Sequence, residues 1–296
     1  MHNSSGPSFI FYPTSFFTML AHRDDWLFTM GSMLLAQSQI SEQYRNSHNL
    51  DARIALHDRF STNKYDWMRW VFDHMLALPV ASRVLEIGCG TGQLWKNNLD
   101  RIPSHWAITL SDASAGMIET ARANLAATSF VAQVQFRQFD ADHLPFDTAS
   151  FDIIIANHML YHVPNIDNTL GELRRVLKSG GQLFAATNGP NHMRELDELL
   201  VGFDPALKLQ AVTDQFRLDN GAPQLQKHFA QVSLQRYESN LVVTEPAPLL
   251  AYVYSMIRAF IIAERWAAFE AYVHAKFAER GGTFFIQKET GLFVAK

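Results

Sequence analysis

The chain has 296 residues, and its apolar positions change period along its length. Between residues 82 and 190, short continuous apolar runs alternate with stretches in which apolar residues recur every third or fourth position. The runs at 82–87, 105–111, 132–138, 151–157 and 181–187 predict strands, and the periodic stretches at 92–100, 114–126, 167–177 and 190–201 predict helices. Strands this apolar are buried on both faces, so the alternation implies a parallel sheet with helices above and below. Lys178-Ser179-Gly180-Gly181 reads as a glycine cap that ends one helix before the next strand begins.

Upstream, helical patterns cover 24–40 and 51–60. Ser61-Thr62-Asn63 offers N-cap chemistry for a helix over 64–78, with Trp67, Trp70, Val71 and Met75 on one face as core or dimer contacts. Downstream, Asn220-Gly221 marks a turn, 222–229 a short helix and 232–237 a strand. Helices follow at 246–260 and 264–279. Residues 283–286 and 292–295 flank a Lys288-Glu289-Thr290-Gly291 turn and read as a closing hairpin.

The first strand runs directly into a glycine loop, Val84-Leu85-Glu86-Ile87-Gly88-Cys89-Gly90-Thr91-Gly92, and the loop opens a helix. Alternate glycines bring backbone close to a ligand without side-chain interference. A dinucleotide loop has G-x-G-x-x-G spacing. Here the spacing is G-x-G-x-G, with an acid two residues before the first glycine. The arrangement resembles the first motif of class I methyltransferases, which bind S-adenosylmethionine. The resemblance is strongest over about residues 80–190. It implies a seven-stranded, mostly parallel α/β sheet with helices on both faces and a terminal antiparallel hairpin. An N-terminal helical lid would precede it. Residues 1–63 would form the aromatic arm and lid. Residues 64–296 would form the cofactor domain, with helical additions at 205–280 contributing to the acceptor pocket.

The resemblance carries over residue by residue. Gly88, Gly90 and Gly92 would admit the methionine part of the cofactor, and Glu86 beneath them would help hold its amino end. Asp112, with Ala113 beside it, ends the second strand about twenty residues beyond the loop, where a carboxylate can accept from both ribose hydroxyls. Asp112 also fits as a helix cap. Met117 would pack on adenine, and fits equally well as a core methionine. Asp140 would accept from the adenine amino group, with the N–H of Ala141 meeting the ring. Asn157 and His158 leave the fourth strand where the sulfonium would stand. Tyr161 or His162 would face the acceptor. His162 and His192 are candidates for a general base, with plain structural satisfaction as the competing reading of His162. Tyr44 is a candidate pocket residue on the lid.

Net charge is −4 with twelve histidines, so no whole-chain field attracts nucleic acid. The acceptor is therefore expected to be a small molecule. Cys89 is the single cysteine, which suits a reducing cytoplasm, and its place in the tight loop reads as packing rather than nucleophilic chemistry. The apolar run Phe9–Leu20 lacks preceding basic residues and contains Pro13, so it is not read as a signal peptide. Leu249–Ala263 carries Arg258 and is too short to span a bilayer. No metal site is evident, since His22, Asp24 and Asp25 lack a third carboxylate. The aromatic arm is a candidate for packing across a twofold partner.

Three functions remain open. The first is methyl transfer to a small, apolar molecule, including C-methylation of a prenyl diphosphate double bond or O- or N-methylation of a metabolite. The second is nicotinamide-dependent oxidoreduction, disfavoured by the glycine spacing. The third is cofactor binding without transfer.

Overall fold

The computed structural model describes residues 48–78, 81–208, 213–257 and 262–296. Tyr44, the helix expected over 24–40, the aromatic arm and the His22–Asp25 cluster lie outside them. The sheet is organised about β1 (Arg83–Ile87), which is fully buried from Val84 onward. Buried backbone groups need partners on both sides. β2 (Ala107–Asp112) supplies them on one side, with Val84 opposite Ile108, and β4 (Phe151–Asn157) on the other, with Val84 opposite Ile153. β3 (Val134–Gln138) extends the sheet beyond β2, and β5 (Leu177–Asn188) extends it beyond β4, all in parallel. β9 (Thr290–Ala295) runs antiparallel to β5, and β6 (Val232–Tyr237) antiparallel to β9. The order is β3-β2-β1-β4-β5-β9-β6, the expected seven strands with one reversed.

Alternate side chains along these strands feed two cores. Val84, Ile108, Ile153 and Phe184 pack toward α2 (Trp67–Asp73), α3 (Gln93–Lys96) and α4 (Ala115–Leu125). Leu85, Ile154, Leu183 and Phe293 pack toward α5 (Ile166–Val176) and α7 (Gly221–Leu225). A third core joins α1 (His48–Phe60), α6 (Arg194–Phe203), α8 (Pro246–Ile257) and α9 (Ala263–Glu279) to a two-stranded sheet of β7 (Asn240–Val243) and β8 (Phe284–Gln287). These segments leave the carboxyl ends of β5 and β6 and return to the start of β9, so they rise from the carboxyl edge of the main sheet.

The closing segments do not pair with each other. Phe284 lies opposite Val243 in the small sheet, whereas residues 290–295 enter the large one. Burial explains the difference. β8 alternates buried and exposed positions, which suits a strand covered on one face. β9 is buried at almost every residue, with Leu292 in one core and Phe293 in the other, so it requires cover on both faces, which the large sheet provides.

The glycines at 180–181 do not cap the preceding helix either. α5 ends at Val176, and extended Leu177 already pairs with Phe151. The next pairing is Gln182 with Ile153, so residues 178–181 loop out as a bulge, with Gly180 at φ +76°.

Two helices are shorter than their periodicity suggests. Asp66, rather than residues 61–63, caps α2 by accepting from the Arg69 N–H at 2.9 Å. α3 stops at Lys96. Beyond it the Asn98 amide donates to the Leu94 and Met68 carbonyls at 2.7 and 3.1 Å, a side chain competing with backbone donors.

Phe293 is wholly buried on the reversed strand. Phe293→Ala is expected to lower unfolding free energy by about 3–5 kcal/mol in urea titrations, as a large cavity in a two-sided core should.

Candidate cofactor and acceptor site

Gly88, Gly90 and Gly92 have φ of +62°, +54° and +75°, so every second residue of the loop is left-handed. A Cβ at Gly88 would stand 2.7 Å from Met159 Cβ, whereas one at Gly90 would meet nothing within 4 Å. The loop is thus packed below Gly88 and open at Gly90. The Cys89 N–H donates to the Ser111 carbonyl at 2.8 Å, which ties the loop to β2. Asp112 completes the tie. Its Oδ2 accepts from the Gly90 N–H at 3.0 Å and its Oδ1 from the Ser114 N–H at 2.9 Å. Ser114, not Asp112, caps α4, accepting from the Met117 N–H at 3.3 Å. Burial raises the Asp112 pKa against the opposing pull of these amides. Met117 is buried one turn into α4. Ala113 follows directly on the clamp. Asp140 follows β3, the strand beside β2, and is exposed, with half-buried Ala141 after it.

Glu86 is only 2% exposed and accepts from the Trp95 indole N–H at 2.6 Å. Burial pushes its pKa up to about 8, opposed by the Trp95 hydrogen bond and reinforced by nearby Asp112. It is a largely protonated acid at neutral pH. Burial likewise pushes the Cys89 thiol well above its ordinary range, which suits a packing residue rather than a nucleophile.

A second cluster gathers at the carboxyl ends of β4, β5 and β6. The Asn157 amide donates to Met68 Sδ at 3.3 Å, and its buried Oδ1 has no hydrogen-bond partner among the described residues. His158 follows at φ +56°, a strained conformation for a non-glycine residue. Its ring lies 5.3 Å from Trp67, which stacks on Trp70 at 5.2 Å, and Tyr237 sets its edge against both. The Trp67 indole nitrogen and His57 Nδ1 are also buried without partners among the described residues.

His192 Nδ1 accepts from the Glu289 N–H at 3.1 Å. In the neutral ring this bond places the hydrogen on Nε2, which becomes a donor. His162 sits in a 3-10 turn, Leu160–His162, with its ring 4.5 Å from that of Tyr161. Arg53, anchored to Ser255, adds its field there.

Burial is the leading cause of depressed basicity in all four histidines. His57 falls to about 3, His158 and His162 to about 4, and His192 well below its ordinary value. Lys288, in the turn between β8 and β9, falls to about 8 for the same reason.

The structure therefore brings Asn157, His158 and His192 to one edge and clamps Asp112 to the glycine loop. His57, Trp67, Tyr237 and Lys288 join the cluster without having been identified as site residues from sequence. Tyr237 ends a strand and Lys288 sits in a turn, but neither position reveals that both reach the carboxyl edge. A separate cavity of about 590 Å³, lined by Arg83, Ser150, Glu172 and Arg175 among others, lies by the amino ends of β1 and β4. Among the described residues no group of three or more His, Cys, Asp or Glu side chains is placed to hold a metal, and no helix is long and apolar enough to cross a membrane.

The family profile described as "Methyltransferase domain" matches residues 85–185. The chain is 34% identical over 116 residues to the ubiquinone/menaquinone biosynthesis C-methyltransferase UbiE of Xanthomonas campestris pv. campestris, a match covering 39% of this chain and 46% of that one. It is 36% identical over 120 residues to a malonyl-[acyl-carrier protein] O-methyltransferase of a Paenibacillus species, covering 39% and 42%. The matched stretch thus spans less than half the length of either relative. Among solved structures, the cyclase SpnF superposes with a TM-score of 0.55 at 18% identity, over 88% of this chain and 96% of that one. At that identity the likeness is one of fold.

From about pH 6.5 to 8 the histidines, still partly protonated in the unfolded chain near pH 6.5, and Lys288, whose folded pKa is about 8, favour the native state as pH rises, and Glu86 opposes them. The folded pKa of Glu86 is raised, so the native state holds a proton that the unfolded chain has released, and its contribution falls as pH rises. Glu86→Gln keeps an acceptor for Trp95 and removes only this titration. In urea unfolding, the stability of wild type relative to Glu86→Gln should therefore fall by on the order of 1–2 kcal/mol across that interval.

Proposed function

We propose that this chain, whose residues 85–185 match the methyltransferase domain profile, is a class I methyltransferase that binds S-adenosylmethionine at the carboxyl edge of its sheet and methylates a small acceptor. The observation that carries the reading is the Asp112 clamp. One carboxylate fixes the glycine loop and the start of α4 with one bond per oxygen, and each oxygen retains accepting capacity beside the open face of Gly90. A ribose diol offers two donors of the kind this acceptor takes. The loop glycines would flank the methionine part, with Glu86 beneath it. Met117, Asp140 and Ala141 would meet the adenine, Ala113 would lie beside the ribose, and Asn157 with its unpartnered oxygen and His158 would stand near sulfur.

When bound, the cofactor supplies an already activated methyl group whose transfer leaves a neutral thioether. The protein's task is then alignment and exclusion of water. Well-oriented reactants reach effective molarities of about 10⁵–10⁸ M. An acceptor O–H or N–H also needs a proton sink, which contributes roughly 10²–10⁴-fold. Burial leaves His162 neutral at pH 7 but weakly basic, so as a base it suits an acceptor whose own proton is acidic, whereas the Glu289 contact makes His192 Nε2 a donor. His162 is therefore the proposed base, and His192 orients the acceptor.

C-methylation of a prenyl diphosphate is the second reading. It draws on the Trp67, Trp70 and Tyr237 faces, which can stabilise a carbocation. The Lys288 ammonium, 5.7 Å from the Tyr237 ring centre, disfavours a carbocation at that ring.

Calorimetry with S-adenosylhomocysteine is expected to show binding, and Asp112→Ala should weaken it by about 10–100-fold. Unchanged affinity in that variant removes the proposal. Radiolabelled cofactor offered with phenols, amines and prenyl diphosphates separates the acceptor classes by product.

A further inference from the structure

We infer that Lys288 anchors an acidic group on the acceptor, so that the small molecule entering this site bears a carboxylate or phosphoryl group docking on the Lys288 ammonium beside His57 and His192. The inference rests on the reading of this edge as the acceptor site.

Lys288 is half-buried yet lacks an ionic partner: no carboxylate lies within 4 Å of its ammonium among the described residues. Its nearest polar contact is the neutral hydroxyl of Ser61 at 3.5 Å, and its other neighbour is the Tyr237 ring. A partly desolvated cation without a counter-charge is costly, and an arriving anion relieves that cost.

The groups around it reinforce the case. α1 contributes His57 and exposed Asp58, the end of β4 contributes His158, the loop after β5 contributes His192, and β6 contributes Tyr237. Asp58 attracts the ammonium from beyond ion-pair distance. The histidines are neutral, so they neither repel an anion nor replace it. His192 presents an N–H from Nε2, and His57 Nδ1 is buried and unpartnered.

The turn that carries Lys288 is fixed in advance. The Lys288 N–H donates to Asn240 Oδ1 at 3.2 Å, the Glu289 carbonyl accepts from the Gly189 N–H at 2.9 Å, and the Glu289 carboxylate accepts from the Asn191 N–H at 2.8 Å. A cation held at the end of a rigid turn is preorganised for binding. A cation serving only the fold would instead be expected to close on a carboxylate.

The experiment titrates the full chain with benzoate, inorganic phosphate and the neutral analogue benzamide, reading histidine ring signals by NMR, and in parallel with S-adenosylhomocysteine by calorimetry. At least one anion should bind about tenfold or more tightly than benzamide, and Lys288→Met should reduce it to the benzamide level. Whether benzoate or phosphate is preferred tells a carboxylate from a phosphoryl source. Lys288→Gln serves if the methionine variant does not fold. The wild-type pH profile is independent of any variant. Benzoate stays ionised above about pH 5 and the histidines stay neutral above about pH 6.5, so a loss of affinity as pH rises through about 8 reports the lysine. Neither anion exceeding benzamide, or anion affinity unchanged in both Lys288 variants, overturns the inference. Failure of the cofactor titration alone overturns the methyltransferase reading instead.

Discussion

Complete burial of β1 is the constraint on which the rest depends. A strand with no exposed side after Arg83 needs a hydrogen-bonding partner along each edge, and the parallel strands β2 and β4 supply them. Parallel pairing aligns all carboxyl ends at one edge. The chain must then leave each strand there through a loop, and those loops hold the glycines, Asp112, Asn157, His158 and His192. The gathering of these residues at one edge is therefore a by-product of how the core is satisfied.

Desolvation, more than pairwise attraction, sets the charge state of this edge. Glu86 is held protonated, four histidines are held neutral, and Lys288 is lowered to about 8 while still carrying its charge at pH 7, in every case with burial as the largest cause. The outcome is a site low in fixed charge, apart from a clamped carboxylate on one side and a lysine on the other. Such a setting leaves each opposite-charge contact weakly screened.

What was legible in the sequence was local. Glycine spacing, the acid two residues before it, and an aspartate at the end of the second strand are short-range patterns, and they sit at the loop as expected. The gathering of His158 and His192 was legible because strand ends in a parallel sheet share an edge. The closing strands were misjudged because β8 and β9 are both short apolar runs, and their distant partners distinguish them. Burial at nearly every position of β9 is a clue visible once the sheet is assembled. Lys288, Tyr237, Trp67 and His57 escaped for a related reason. Each lies on a different element, and they converge only after β9 has entered the sheet and α1 has settled against α8.

The reversed strand also has a bearing on how the molecule is built. Thr290 meets Asn188 across 102 positions of chain, and the contact is flanked by the His192 and Lys288 loops. Closing so long a loop carries an entropic cost that must be met before the contact returns anything, so pairings of this kind form late and slowly. The glycine loop and Asp112, by contrast, belong to neighbouring strands near in sequence and need no such closure. Folding thus assembles the two halves of the edge on separate clocks. A nascent or partly opened chain would keep its glycine-loop half in order while the half that carries His192 and Lys288 is still unmade.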